Sequence, residues 1–511
     1  MAERSAAPTA GQDPEAAGMA AADPRRWLIL AVICVAYLMI SLDATVMNLA
    51  LPSAQHTLNF TNADRQWIVT AYSLSFGSLL LFCGRLADLF GRKVTFLAGL
   101  VGFAAASAVG GASVSFAMLV TARACQGVFA ALLAPSALSL LVTTFHDPGE
   151  RGKAFGAFGA VAASGTALGL LIGGALTSYL SWRWCLYVNL VFAGIAITGA
   201  VLLLGRQHKT PGARLDVPGV VTVSGGMFCL VYGFSNAATH SWGRPSTWSF
   251  LIAGVVLLIL FALRQTRAEY PLLPPRIVLD RNRGGAYLTV LIVGPGLYGV
   301  LLFLIYYMQV TLGYSAVISG VALLPMLALS ASMANIGNIV LMPRLGPKPL
   351  VVAGLLADAT GMAWLTRIGV HSGYASALLG PVMVIGAGMG LVFALVPNTG
   401  TFGVTPRDTG VASACISTGQ QLGGAIGIAL LNTVAATATT AYLASHLGEG
   451  SPSQLEHLAA VHGYATVFWW CAGIFAAGAV ICGALMRPGP LNRSGEAAAL
   501  EASRPSATAQ S

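Results

Sequence analysis

The sequence predicts an all-α membrane protein of fourteen helical spans with both chain termini on the cytoplasmic side. Three observations predict it. Of 511 residues, 56% are hydrophobic and only 9% are charged, whereas a soluble globular chain carries roughly 25% charged residues. Such a chain needs lipid around nearly all of it. The apolar residues fall in continuous runs near the ~20 residues that a helix needs to cross hydrocarbon. They lack the short polar–apolar alternation of a membrane β-barrel, and a helix satisfies its own backbone hydrogen bonds in lipid. The third observation is charge asymmetry. With the N-terminus inside, 22 of the 27 Lys and Arg fall on the cytoplasmic side, and Arg65, Arg183, Arg244 and Arg367 fall outside. Arg123 is within a span. This bias supports both termini inside and an even number of spans.

In chain order, residues 1–26 are Ala-rich, with scattered charges and prolines. They lack the apolar stretch of a cleaved signal and read as a disordered cytoplasmic tail. Spans follow near 27–51, 67–85, 95–114, 117–143, 154–178, 185–204, 217–236, 248–265, 286–310, 316–340, 349–368, 376–397, 409–432 and 464–486. A twelve-span chain lacking the seventh and eighth would keep the same parity, but their apolar lengths argue for both. The stretch 433–463 reads as the longest outside loop, and 487–511 as a second polar, disordered tail.

Several function classes have no support. The eight cysteines form no C-x-x-C, and the eight His fall in predicted loops or tails, so neither a disulfide frame nor a metal site is expected. A G-x-G-x-x-G match at Gly294–Gly299 lies inside an apolar span with no strand before it, which argues against a dinucleotide site. No phosphate-binding G-x-x-x-x-G-K-[ST] occurs. The net charge of +9 reads as a topology signal, not a nucleic-acid footprint. An enzyme or receptor would need a catalytic or metal cluster within the spans, and none is evident.

One short stretch carries a specific pattern. Gly84-Arg85-Leu86-Ala87-Asp88-Leu89-Phe90-Gly91-Arg92-Lys93 places three cations, one carboxylate and two glycines between spans 2 and 3. This order resembles the loop between helices 2 and 3 of major facilitator superfamily transporters. In span 1, Leu42-Asp43-Ala44-Thr45-Val46-Met47-Asn48-Leu49-Ala50-Leu51-Pro52 resembles the signature of that superfamily's fourteen-helix drug:proton antiporters. Span 4 carries Arg123, Gln126 and Gly127, similar to the family's R-x-x-Q-G motif, with Phe129 where a second glycine is usual. Span 5 carries Gly165, Gly169, Gly173 and Gly174, similar to the antiporter packing motif, with Leu170 in place of its proline. Losing that proline removes an expected kink. Trp182-Arg183-Trp184 with Asn189 also resembles that branch, and the likeness runs from about Trp27 to Arg487.

The resemblance implies a six-helix bundle over 27–204, two inserted helices and a cytoplasmic linker over 205–285, and a second bundle over 286–486. The loop pattern should then recur after span 10. There Gly346 and Lys348 match Gly91 and Lys93, but Pro343 stands where Asp88 would be. Only the first copy can therefore carry the Asp chemistry.

Asp43 and Arg123 sit at similar depth, counted at 1.5 Å rise per residue. An Asp within a span costs about 2.5–3.5 kcal/mol on insertion scales, so a partner is expected. The pair is expected either to couple protons or to lock helix packing as a static ion pair. The resemblance assigns the inner gate to Gly84, Asp88, Gly91, Arg92 and Lys93, with Asp88 facing the N-terminus of span 13. Asp408, beside that end, should weaken the attraction. Tyr37, Gln126, Tyr298, Tyr306, Gln309, Asn335, Asn338 and Gln420 are candidate polar groups of a substrate cavity. Asp358 lies on a helix expected to be peripheral.

The family implies proton-coupled efflux of an amphipathic drug or antibiotic, acting as a monomer in the cell membrane, with the proton gradient in place of a cofactor. The alternative is a dedicated exporter of an endogenous metabolite or siderophore. Arg outnumbers Lys 23 to 4, as expected of a GC-rich bacterial genome.

Overall fold

The computed structural model describes residues 24–60, 62–145, 147–205, 215–239, 242–405, 408–446 and 451–490. The expectations for the two tails fall almost entirely outside them. Among the described residues the chain is helical, with no β-strand. The first half comprises α1 (Arg26–Leu58), α2 (Asn62–Phe90), α3 (Arg92–Gly111), α4 (Phe116–Thr144), α5 (Pro148–Tyr179) and α6 (Trp184–Leu203). Next come α7 (Val217–Thr239), α8 (Pro245–Gln265) and the short α9 (Pro275–Val278). The second half begins with α10 (Arg281–Tyr306), which a π-helical turn over Tyr307–Thr311 extends. A segmented helix follows, made of α11 (Ala316–Ala322), α12 (Leu324–Ile336), a π-turn (Gly337–Leu341) and α13 (Met342–Leu345). It continues with α14 (Pro347–Leu365), α15 (Leu379–Gly400), α16 (Thr409–Ser445) and α17 (Pro452–Leu485). Among the described residues, twelve helices are long and apolar enough to cross a membrane. The helices α5 and α14, of 32 and 19 residues, occupy the positions expected of spans 5 and 11.

Local chemistry sets the boundaries. Ser115 caps α4 by accepting the Met118 N–H at 3.3 Å. Asp147 caps α5 by accepting the Glu150 N–H at 2.9 Å, with Pro148 in the first turn, the preferred arrangement at a helix start. Gly91 stops α2 with φ of 92°, and Gly346 stops α13 with φ of 79°, a backbone region that side-chain-bearing residues avoid. The repeated loop is thus preserved in its backbone although the second copy has lost its Asp. The helix α5 runs unbroken through position 170, where the motif proline is missing.

Within the stretch 433–463, expected as a loop, residues 433–445 belong to α16 and 452–463 to α17. The helix α16 is 37 residues long and α17 is 34, and at ~1.5 Å per residue both exceed a ~30 Å hydrocarbon core. The Ala/Thr-rich run after Asn432 is too polar to read as a span, yet it contains neither Gly nor Pro to stop a helix before Ser445. His56 lies in the last turn of α1, and His457 and His462 lie in α17, rather than in loops. The rings of His446 and His462 flank Tyr442 at 4.1 and 5.0 Å.

The halves meet along two seams, α2 against α16 and α5 against α12 and α15. The helix α7 lies across the first seam and touches both α2 and α16, with α8 packed on its far side. Leu81 of α2, Val223 and Met227 of α7, Phe261 of α8, Leu272 of the linker and Ala414 of α16 share one apolar cluster there. The helix α14 packs on α15 and α17, away from both seams. Its Asp358 is fully buried and takes up the space beside Gly388 of α15.

Candidate functional site

Asp43 and Arg123 meet as expected. Arg123 Nη1 lies 2.6 Å from Asp43 Oδ2, and both side chains are almost wholly buried. Asp43 Oδ1 accepts two further hydrogen bonds, from Asn189 Nδ2 at 2.7 Å and Gln126 Nε2 at 3.1 Å. Gln126 also accepts from Arg123 Nη1 at 2.9 Å and donates to Ser107 Oγ at 2.7 Å. The Arg123 guanidinium stacks 4.4 Å from the centre of the Tyr72 ring. The site draws on α1, α2, α3, α4 and α6. A buried ion pair persists only when its remaining hydrogen-bonding capacity is met, and three donors meet that of Asp43.

The network lies inside the first half, not between the halves. Gln126 is held within it and is not a cavity residue, because all of its polar atoms are engaged there. Small residues let α5 approach α1 beside it: a Cβ on Gly165 or Gly169 would run into Ser41 or Thr45, the close packing that such motifs serve. Gly173 is buried, and its carbonyl faces the Cys185 thiol at 3.9 Å. Gly174 does not share this role, since nothing lies within 4 Å of where its Cβ would be. One residue past the i, i+4 row, it turns to another face.

The second constellation sits at the end of the molecule where α2 meets α3. Asp88 Oδ1 accepts the Gly410 N–H at 2.9 Å, and Oδ2 accepts the Val411 N–H at 3.2 Å. These are unsatisfied donors of the first turn of α16, where the helix dipole favours an anion. Gly84 permits the approach: a Cβ there would lie 2.5 Å from Ala414 Cβ and 2.7 Å from the Gly410 carbonyl oxygen. Lys93 instead donates to the Leu204 carbonyl at the end of α6, so it ties α3 within its own half. Asp408 does not stand unopposed beside Asp88. Its Oδ2 is 2.6 Å from Arg276 Nη2, and its Oδ1 is 4.0 Å from Arg85 Nη1.

The other seam closes differently. Where the second loop copy has Pro343, no carboxylate can mirror Asp88. The contact is made by Arg151 of α5, whose Nε donates to Asn398 Oδ1 at 3.1 Å and whose Nη2 donates to Thr401 Oγ1 at 2.8 Å. Asn398 Nδ2 in turn donates to Asn338 Oδ1 at 3.0 Å. Asn338 is therefore a seam residue rather than a cavity residue. Asn335 sits on the same seam beside Gly156 and bonds back to the Ala331 carbonyl at 2.9 Å.

Behind these closures lies a narrow recess whose free volume is about 10 Å³, roughly the room for one water molecule. It is lined by both halves, with Tyr37, Leu138 and Phe158 from the first and Phe393, Ser417 and Gln420 from the second. The Tyr37 and Phe158 rings are 4.5 Å apart. Of the expected cavity residues, Tyr37 and Gln420 line it. Tyr306 is 44% exposed, at the end of α10 with its ring edge-on to Phe303. Gln309 lies in the π-turn with Nε2 buried and without a partner among the described residues, and the side chain of Tyr298 is outside them.

Sequence reasoning missed Ser107, Tyr72, Arg151, Asn398 and Arg276. A polar residue in mid-span, or an Arg at the first turn of a helix, was the available signal. Neither says which distant residue it meets.

A family model described as Major Facilitator Superfamily matches residues 33–428. The chain is 46% identical over 474 residues to the puromycin resistance protein pur8 of Streptomyces alboniger, covering 92% of this chain and 93% of that one. It is 38% identical over 429 residues to the cephamycin export protein CmcT of Amycolatopsis lactamdurans, covering 82% of this chain and 88% of that one. Among solved structures, the human organic anion transporter MFSD10 superimposes with a TM-score of 0.63 at 15% identity, over 90% of this chain and all of that one. That likeness concerns the fold alone.

Proposed function

Because the chain belongs to the major facilitator superfamily, we propose that it exports an amphipathic drug or antibiotic in exchange for protons, by alternating access between its halves. It is a multi-pass transporter of the plasma membrane and not an enzyme; its solvent is the bilayer and its cargo a small molecule. In this reading α5 and α14 also cross, which makes fourteen spans. The Asp88 end is cytoplasmic, both termini lie on that side, and a monomer is the working unit.

The observation that carries proton exchange is the Asp43 carboxylate, buried under three donors. Asp43 lies six residues along α1 from Tyr37 in the recess, about 9 Å at the rise of a helix. Protonation of Asp43 removes its charge from Arg123 and loosens the network that sets α1 against α4 and α6. A substrate that enters between the halves as they part meets the same helix at Tyr37, which lines the recess. Binding and protonation thus act on one rigid element, the physical form that coupling requires. With the Asp88 and Arg151 closures made, this conformation is shut towards the cytoplasm. Repeats pivoting about a midplane site open one side as they close the other.

Uptake of puromycin into everted membrane vesicles, with and without a collapsed proton gradient, tests the proposal. Uptake that disappears with the gradient is expected; uptake indifferent to it overturns proton exchange. A second reading, export of one endogenous secondary metabolite, is favoured by relatives named for the export of single antibiotics such as cephamycin. Resistance of growing cells to several unrelated toxic compounds would exclude it.

A further inference from the structure

The two inserted helices and their linker touch the closure at the Asp88 end, and the contact is electrostatic. Asp88 and Asp408 are two buried carboxylates at the N-terminal end of one helix. Asp88 takes the backbone donors of Gly410 and Val411, while Asp408 makes no capping bond to the helix itself. Arg85 acts on both, lying 4.0 Å from Asp408 and within electrostatic reach of Asp88, so one cation of the first half is shared between two anions. The fractional positive charge of a helix end, roughly half an elementary charge, cannot neutralise both.

The cations that face them are Arg85 and Arg92 from the first half and Arg276 from the linker. Arg85 reaches Asp408 at only 4.0 Å, whereas Arg276 reaches it at 2.6 Å. The position of Arg276 is not accidental. Asp216, just before α7, binds Arg264 at 2.8 Å and Gln265 at 3.1 Å at the end of α8. Gln265 Oε1 accepts the Leu273 N–H of the linker at 3.0 Å. Leu272 packs under the seam against Leu81, Phe261 and Ala414. The inserted pair thereby holds the linker in place and presents Arg276, three residues past Leu273, to Asp408.

We propose that Arg276 is a positioning residue of the inner gate: it neutralises Asp408 so that the Asp88 carboxylate can occupy the N-terminal end of α16. This role rests on the gate reading of Asp88 and gives the inserted helices a task that a twelve-helix transporter, lacking them, cannot share. Arg276 acts through the charge on Asp408, so removing that charge should make Arg276 dispensable.

The full-length chain in inside-out membrane vesicles provides the test. A cysteine placed in the recess by Ser417→Cys is alkylated from the cytoplasmic face with a membrane-impermeant maleimide, with the chain unsubstituted at Ser417 as the background for native cysteines. Adding Arg276→Gln is expected to raise the labelling rate about tenfold, the scale on which one charged contact shifts a two-state equilibrium. Arg276→Gln with Asp408→Asn returns it to the starting rate, and Asp408→Asn alone leaves it there. A rate unmoved by Arg276→Gln, or a double variant as fast as the single one, overturns the proposal. If Arg276→Gln does not accumulate in the membrane, Arg276→Lys is measured: it keeps the charge and should label within about twofold of the starting rate, and a tenfold rise overturns the charge argument. Asp88→Asn separates this from the gate reading. If Asp88→Asn leaves labelling slow, the gate itself is wrong; if it speeds labelling while Arg276→Gln does not, only the role of Arg276 falls.

Discussion

Asp88 of α2 holds the first turn of α16 through two backbone donors, Gly410 N–H at 2.9 Å and Val411 N–H at 3.2 Å, across 322 and 323 residues of chain. An anion aimed at a helix N-terminus binds there without any partner side chain on the opposite half. The contact therefore needs no cation on α16 itself.

Asp88→Asn keeps the shape but exchanges one acceptor for a donor, which then faces an N–H. Loss of one hydrogen bond to a charged group costs about 1.5–3 kcal/mol. Transport should fall about tenfold or more at normal protein level, measured as drug uptake per transporter in vesicles. Gly84→Ala should do the same by bulk, since its Cβ would meet Ala414 and the Gly410 carbonyl.

Asp43 and Arg123 offer a test that separates coupling from packing. Arg123→Ala leaves a buried carboxylate without its cation, which costs about 3–5 kcal/mol, so the protein level should drop sharply. Asp43→Asn together with Arg123→Gln removes both charges and should restore it. If that double variant still accumulates drug in proportion to the proton gradient, the pair is a packing device only.

Arg151 joins α5 to α15 through two directed bonds, to Asn398 and Thr401. Arg151→Lys cannot reproduce that fork. It should lower transport several-fold while the chain still reaches the membrane, with Asn398→Ala giving a loss of similar size. Their combined effect should be less than the product, as for residues sharing one contact. A fully multiplicative result in the uptake assay would show that the two residues act separately.

Asp216 lies outside the spans. Burial pushes its carboxyl up, but the hydrogen bond from Arg264, the Gly219 N–H and Gln265 outweigh burial and hold it below the ordinary carboxylate value of 3.8. A depressed carboxyl contributes stability that is complete above the unfolded value and is lost as pH falls through the folded one. The melting temperature of the purified transporter should therefore owe nothing to Asp216 titration above about pH 5. Below about pH 4 the wild type should lose stability faster than Asp216→Asn, and parallel curves would remove Asp216 from the account.

Much of this protein was legible in the sequence by itself. Apolar run length marked the helices because lipid imposes a minimum length on each one. The pairing of Asp43 with Arg123 followed from equal depth along two helices of fixed rise, together with the family's placement of both helices about one centre. The approach of Asp88 to the start of α16 followed from the family pattern. The sequence reading misjudged 433–445 and 452–463, where polarity was taken for a loop although the residues extend α16 and α17. Only the tertiary structure decided the company these groups keep. Asn189 closes on Asp43 across 146 residues, Arg276 on Asp408 across 132, and Arg151 on Asn398 across 247. No spacing rule connects such pairs, because which faces of two helices meet depends on the packing of all the others. The same packing left Gln126 inside the network, Asn335 and Asn338 on a seam, and Gly174 facing open space. Helix period and span length are local properties of the chain, and a recess between two halves is not.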